Sequence, residues 1–346
     1  MVVATSFLLL TMETTHQPDK PYTKIPVTLL TGFLGAGKTT LLNRILAEAH
    51  GEKIAVIVNE FGQVGIDGDL IVARDESMIE LNNGCLCCTV RVDLIDTLTR
   101  LAKSKLGIEG ETKKNFDRVV IETTGLADPL PLIQTFLLDE VVATCYELDA
   151  IVTVVDGKHI EKQLGYLPLA AEQIALADIL VLNKCDLLTE EGKEKIRERI
   201  SGLNHEAKIL EAVQSGVSLE ELFGKNSFRH LPEDFLTEDE HDHADHLDGI
   251  NSVVVRTSKP VEIDVLYTWL GEVIEKCGPD LLRYKGIVYS DEWEGKRGVL
   301  QGVHTLYTVT PDRDWRPGEP RETKLVFIGR NLDEQWLKES FQSLLV

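Results

Sequence analysis

No stretch of this sequence stays apolar long enough to approach a membrane span, which sets a membrane-spanning helix aside. Basic residues are scarce beside acidic ones. There are 36 lysines and arginines against 57 aspartates and glutamates, a formal net charge of -21 and a pI near 4.9. Nucleic acids and anionic membranes are polyanions, so this balance argues against nonspecific binding to either. Cysteine is sparse too: six in 346 residues, three of them crowded into Cys85–Cys88. That is a poor disulfide framework and a better metal or redox cluster, and it makes a reduced, cytoplasmic chain the expectation. With 43% hydrophobic and 27% charged residues, the composition is that of a soluble globular protein with room for two cores.

The densest signal is Val27 to Thr40, VTLLTGFLGAGKTT: a buried strand, a glycine loop and a helix start in succession. Gly32, Gly37, Lys38 and Thr39 fill every fixed position of G-x-x-x-x-G-K-[ST], with Phe33, Leu34, Gly35 and Ala36 between them and Thr40 after. Glycines let successive backbone N–H groups turn inward around a phosphate, and the following helix adds its positive end. Lys38 is expected to reach the β- and γ-phosphates and the Thr39 hydroxyl to hold Mg²⁺.

Downstream, KIAVIVNE (53–60) reads as a strand covered on both faces, ending in a glycine-rich polar loop. Glu60, Gln63 and Asp67 of that loop are candidates to sit near nucleotide or metal. Met78 to Leu81 read as a short strand. After it comes Gly84-Cys85-Leu86-Cys87-Cys88, and then Val92, Ile95, Leu98 and Leu101 at helical spacing. Thiolates this close can converge on one soft or borderline cation such as Zn²⁺, with the fourth position left to water or a partner's ligand. Redox-active thiols and inert buried cysteines are the competing readings. DRVVIETTG (117–125) is a further buried strand: Glu122 stands where a Walker B acid binds Mg²⁺, and Gly125 where a backbone N–H senses the γ-phosphate. Asp128-Pro129 opens a helix.

Strands at 148–156 and 179–183 follow, the second ending in Asn183-Lys184-Cys185-Asp186, the N-K-x-D pattern. A carboxylate such as Asp186 accepts from guanine N1–H and the exocyclic amine, a pattern adenine does not offer. A last strand is expected at 207–213, with the turn Ala212-Val213-Gln214 beside the base. Residues 224–249 are polar, acidic and aperiodic, the signature of a linker. His241, His243 and His246 within it are weaker metal candidates against a solvated charged reading. From Ile250 a small α+β unit is expected, with strands at 250–258, 282–290, 299–310 and 323–330, a helix at 262–277 and a terminal helix from Leu332. Trp269, Trp293, Trp315 and Trp336 read as core or interface aromatics. Residues 1–24 are expected to be a disordered extension without a secretory leader, with Met12 an alternative start.

The combination GFLGAGKTT, NEFG, GCLCC, ETTG and NKCD, followed by the acidic His-bearing stretch, RYKGIVY and LVFIGRNLDEQWL, resembles the CobW-type P-loop GTPases, a group of metallochaperones. The likeness spans about residues 25 to 345. It implies an α/β P-loop domain (25–223) with a mostly parallel sheet flanked by helices, and a smaller α+β C-terminal CobW domain (250–346). It also implies slow GTP hydrolysis and delivery of zinc, cobalt or a related metal to a client metalloprotein or metal-insertion partner through the C-terminal domain. Carried over by position, Gly32 to Thr39 bind phosphates and Mg²⁺, Cys85, Cys87 and Cys88 bind zinc, and Asn183 to Asp186 bind guanine. Cys88 to Val92 lie near nucleotide. Two departures stand out: the His tract is short, which argues against metal storage, and the N-terminal extension lacks a Cys-Pro-x-Leu-Val segment. A cobalt-handling accessory GTPase of cobalamin assembly and a redox-sensing regulatory GTPase are the alternatives. Self-association is left open.

Overall fold

The computed structural model describes residues 23–48, 51–59, 78–81, 87–108, 111, 113–224, 226–228, 231, 235–236 and 249–345, with the backbone alone at 59, 78–81 and 87–91. Residues 1–22 of the N-terminal extension, Glu60, Gln63, Asp67, Cys85, His241, His243 and His246 lie outside the described residues.

A seven-stranded sheet carries the first domain. Its strands are β1 (Ile25–Thr31), β2 (Ile54–Asn59), β3 (Met78–Leu81), β4 (Arg118–Glu122), β5 (Tyr146–Asp156), β6 (Ile179–Asn183) and β7 (Lys208–Glu211), in the spatial order β3-β2-β4-β1-β5-β6-β7. Every pairing is parallel. Strands of a parallel sheet are covered on both faces, which is why β1, β4 and β6 are near-continuous Val, Ile and Leu and are buried along almost their whole length. One face packs on α1 (Lys38–Ala47) through Leu41, Leu42 and Ile45. The other packs on α2 (Cys87–Leu106) through Leu94, Leu98 and Leu101, on α3 (Leu130–Leu138) and on α6 (Pro168–Ala175). Val92, assigned to the apolar face of α2 by its spacing, is 57% exposed; Leu94 takes its place one turn before Leu98.

The second domain is a five-stranded antiparallel sheet of β8 (Ile250–Thr257), β9 (Leu281–Val288), β10 (Lys296–Val303), β11 (Leu306–Asp314) and β12 (Thr323–Arg330), in the order β11-β10-β9-β12-β8. The single strand expected at 299–310 is a hairpin. His304, at φ 56, turns the chain between β10 and β11 without the Asn-Gly or Asp-Gly signal that marks such a turn in sequence. Both faces of this sheet are apolar. Leu325 and Phe327 face α9 (Ile263–Cys277) and α10 (Glu334–Ser343), with Trp269 1% exposed among them. Val326 and Ile328, alternating with them, join the core of the first domain. Trp293 and Trp336 pack at the margin of the outer cluster and Trp315 against the shared one.

The seam also takes in part of the stretch read as a linker. Phe228, Leu231, Phe235 and Leu236 are buried. Asp149 accepts from the Gly224 and Asn226 amides at 3.0 and 2.6 Å, and Lys324 and Arg256 donate to the carbonyls of Phe235 and Leu236. Four apolar residues scattered among acids show no periodicity, so sequence pattern does not reveal that they fill a gap.

Candidate functional site

Three neighbouring strands, β2, β4 and β1, end at one edge of the first sheet, and β1 stands where the strand order reverses, with β4 on one side and β5 on the other. In open α/β sheets ligands bind in the crevice that this reversal opens. The loop from Gly32 to Gly37 fills it. Gly32 and Gly37 sit at φ 130 and φ 114, and a Cβ at Gly37 would lie 2.4 Å from Asn183 Nδ2, so both positions require glycine. Phe33, Leu34, Gly35 and Ala36 make the turn between them. Lys38 opens α1 and donates from Nζ to Phe33 O at 3.1 Å, lying over the loop it serves. Thr39 follows, and Thr40 is exposed on the next step of the helix.

Glu122, at the end of β4, is 5% exposed and accepts from Thr39 Oγ1 at 2.8 Å. A hydroxyl and a carboxylate held this close, beside backbone N–H groups at a helix start and a lysine, are the oxygen donors and charge that a Mg²⁺-bound phosphate requires. The residues present fit that group. The chain then turns through Thr123, whose amide donates to Leu30 O at 2.9 Å, to Gly125. Gly125 abuts the phosphate loop: a Cβ on it would lie 2.4 Å from Leu34 N.

On the other side of β1, the N-K-x-D residues divide their work. Asn183 is 2% exposed and acts as a strut. Its Nδ2 donates to Ala36 O at 2.8 Å and to Ser215 Oγ at 3.0 Å, and its Oδ1 accepts from Ser215 N at 2.8 Å. Ser215 in turn donates to Gly37 O at 2.9 Å. Lys184 is at φ 64 and donates to Asp156 Oδ2 at 2.7 Å. Asp156 also meets His159 Nδ1 at 2.9 Å. Burial works to raise its carboxyl, but the hydrogen bonds from Lys184 and His159 hold it below the ordinary range. Asp186 is exposed beside a cleft of about 470 Å³ that Ala212 and Val213 also line. Ala212 and Val213 of the turn expected beside the base therefore lie next to Asp186. Cys185 is buried with its Sγ on Leu182 O at 3.1 Å, and burial pushes its thiol up, which makes it structural.

The strand that precedes the cysteine motif in the chain, β3, ends at the same edge. Leu81, the last residue of β3, is in register with Asn59 of β2, and Val58 is in register with Glu122. Two strand spacings, about 10 Å, therefore separate Leu81 from the acid. Cys87 and Cys88 are the first two residues of α2. Sequence reasoning missed Ser215 and Asp156. A motif search has no column for Ser215, whereas Asp156 announces itself only as an acid ending an apolar strand, the same signal that drew attention to Glu122.

Comparison with known proteins agrees with this architecture. Residues 26–211 match the family model of the CobW/HypB/UreG nucleotide-binding domain, and residues 250–345 that of the cobalamin synthesis protein cobW C-terminal domain. The chain is 40% identical over 324 residues to a protein of Escherichia coli (strain K12) named zinc chaperone YjiA, covering 92% of this chain and 98% of the relative. It is 36% identical over 362 residues to zinc chaperone CobW of Pseudomonas aeruginosa, covering 95% and 93%. The crystal structure of Zn(II)-bound YjiA GTPase from E. coli superposes with a TM-score of 0.72 at 36% identity, over 93% of this chain and 99% of that one. With a family model over more than half of its length and relatives aligned along nearly all of it, the chain belongs to the CobW/HypB/UreG family of P-loop GTPases and bears the CobW C-terminal domain.

Proposed function

We propose that this protein is a GTP-hydrolysing metallochaperone that binds zinc through Cys85, Cys87 and Cys88 and passes it to a client metalloprotein, with nucleotide state setting the zinc affinity. The observation that carries this reading is the shared sheet edge. The phosphate loop follows β1, Glu122 ends β4, and the cysteine motif comes in the chain after β3, all strands that end at one edge of the sheet, which in this reading feels both phosphate and metal. The names of the relatives, zinc chaperones in two bacteria, support zinc as the cargo.

In this reading Lys38 and the amides of Gly32 to Thr40 hold the β- and γ-phosphates, Thr39 and Glu122 hold Mg²⁺ or orient the attacking water, and Gly125 senses the γ-phosphate. Asp186 accepts from guanine N1–H and N2, with Lys184 beside it and Asn183 bracing the loop. Bound Mg²⁺-GTP supplies the phosphoanhydride and the divalent charge. The C-terminal domain offers the client surface, and a cytoplasmic setting keeps the three thiols reduced.

Chelator competition on the reduced protein tests the coupling, with GDP and then with a non-hydrolysable GTP analogue and Mg²⁺. An affinity change of about tenfold or more, about 1.4 kcal/mol, is expected. Equal zinc affinity in the two states would sink nucleotide control.

A further inference from the structure

The second domain is tied to the loop that this reading gives to the γ-phosphate. Gln173, on α6, is 1% exposed. Its Nε2 donates to Ala127 O at 3.1 Å and lies 3.5 Å from Gly125 O, gripping both ends of the turn that abuts Leu34. The backbone of Gln173 is itself fixed, its carbonyl accepting from Thr153 Oγ1 of β5 at 2.8 Å. The preceding residue, Glu172, is bridged across the domain boundary by Arg330 Nη2 at 2.6 Å. Arg330 ends β12, where its amide donates to Asp280 O at 2.8 Å and its Nη1 to Pro279 O at 3.3 Å. Asp128, just beyond the gripped turn, is within the field of the same groups. Desolvation first, and Glu172 after it, hold its carboxyl above the ordinary range against the Leu130 amide, Arg330 and His304.

We propose that Gln173 is a positioning residue for the γ-phosphate sensor and that the Glu172–Arg330 bridge carries the sensor's displacement to the C-terminal domain, which thereby reads the nucleotide state. The proposal rests on the guanine-nucleotide reading above. A side-chain amide bonded to two carbonyls of one short turn cannot let that turn move without moving itself or losing its hydrogen bonds. Its helix is a short rigid lever with Glu172 on the adjacent, preceding position. As the bridge stands, it braces the turn where it is. Drawing Gly125 toward a γ-phosphate pulls on the brace, so the second domain resists triphosphate binding, and by reciprocity triphosphate binding loosens the second domain's hold.

The test measures affinities of the full-length protein for GDP and for a non-hydrolysable GTP analogue with Mg²⁺, in wild type, Arg330→Ala, Arg330→Lys and Gln173→Leu, and in the Gln173→Leu/Arg330→Ala double variant. Arg330→Ala shifts the analogue-to-GDP affinity ratio toward the analogue by about threefold or more, and Arg330→Lys restores part of it. In the Gln173→Leu background the Arg330 substitution changes the ratio by less than about 1.5-fold, because the lever has lost its grip. A merely structural loss weakens both nucleotides alike. The Arg330 side chain is 37% exposed, so Arg330→Ala keeps the fold and decides the matter alone even where Gln173→Leu does not fold. An unchanged ratio in Arg330→Ala, a shift toward GDP, or an equal shift in the Gln173→Leu background overturns the relay. Wild-type protein that binds neither nucleotide overturns the guanine-nucleotide reading together with it.

Discussion

Lys38 is 7% exposed and lies curled over its own loop, 3.1 Å from Phe33 O, and in the proposed function it meets the charge that develops on the transferred phosphoryl group. A fixed charge aimed at a transition state contributes on the order of 10²-fold or more, so Lys38→Ala is expected to lower phosphate release from GTP by at least that factor. Unchanged turnover in that variant would refute the phosphate assignment. Asp156 makes a subtler claim. Its carboxylate anchors Lys184, so Asp156→Asn weakens GDP binding about tenfold, about 1.4 kcal/mol, read by displacement of a fluorescent nucleotide. Full affinity would detach Asp156 from the base site. The difference in legibility between these residues is physical. Gly32, Gly37, Lys38 and Thr39 are contiguous, and their spacing encodes the backbone path itself. Ser215 and Asp156 act on Asn183 and Lys184 from 32 and 28 positions away, and no fixed spacing ties them to the motif.

Helices and strands of the first domain were legible because burial on both faces forces long apolar runs, and those runs stop where the functional loops begin. The face of α2 was read less well. The spacing from Val92 to Leu101 fits a helix, but the buried row is Leu94, Leu98, Leu101 and Ala102, since a twenty-residue helix can offer two apolar rows and only packing selects one. Leu98 is fully buried and its carbonyl accepts from Tyr146 Oη at 2.7 Å. Leu98→Ala should therefore cost about 3 kcal/mol in urea denaturation, through lost burial and the cavity left behind. Val92→Ala, on the exposed row, should cost less than about 0.5 kcal/mol. Equal costs would mean that the helix packs by the other row. The hairpin of β10 and β11 was hidden for a related reason. Val299, Leu300 and Val303 run into Leu306, Tyr307 and Val309 with only His304 and Thr305 between them, and His304 takes a left-handed conformation at φ 56 without a glycine or asparagine to mark it.

Across the whole molecule the two domains share one apolar core, and at its centre lies a charge cluster that no motif announces. Asp178, just before β6, accepts at Oδ1 from Arg283 at 2.5 Å and from Lys285 at 2.6 Å, both on β9, and at Oδ2 from the Ile151 amide at 2.8 Å. Lys285 also donates to Ser227 O at 3.0 Å. Burial, then the like charge of Arg283, pushes the Lys285 ammonium down to about 8 against the pull of Asp178, from 10.5 in an unfolded chain. Between those values the unfolded chain binds more protons than the folded one, so this group makes unfolding harder as pH rises from about 8 toward 10.5. Below about 8 both states are protonated and its contribution is flat. At about 1.4 kcal/mol per unit, wild type should gain about 2 kcal/mol of stability relative to Lys285→Met between pH 8 and 9.5, measured by urea denaturation. Parallel pH profiles would show that Lys285 does not titrate at the seam. Lys285→Met should be tolerated at neutral pH, because Asp178 keeps Arg283. Asp178→Asn should cost about 3 kcal/mol or more, because it leaves two buried cations facing each other across the seam. Asp178 thus ties β9 of the second domain to the Ile151 amide of the first, and with the Glu172–Arg330 bridge it forms a second ionic link across the seam on which the proposed relay depends.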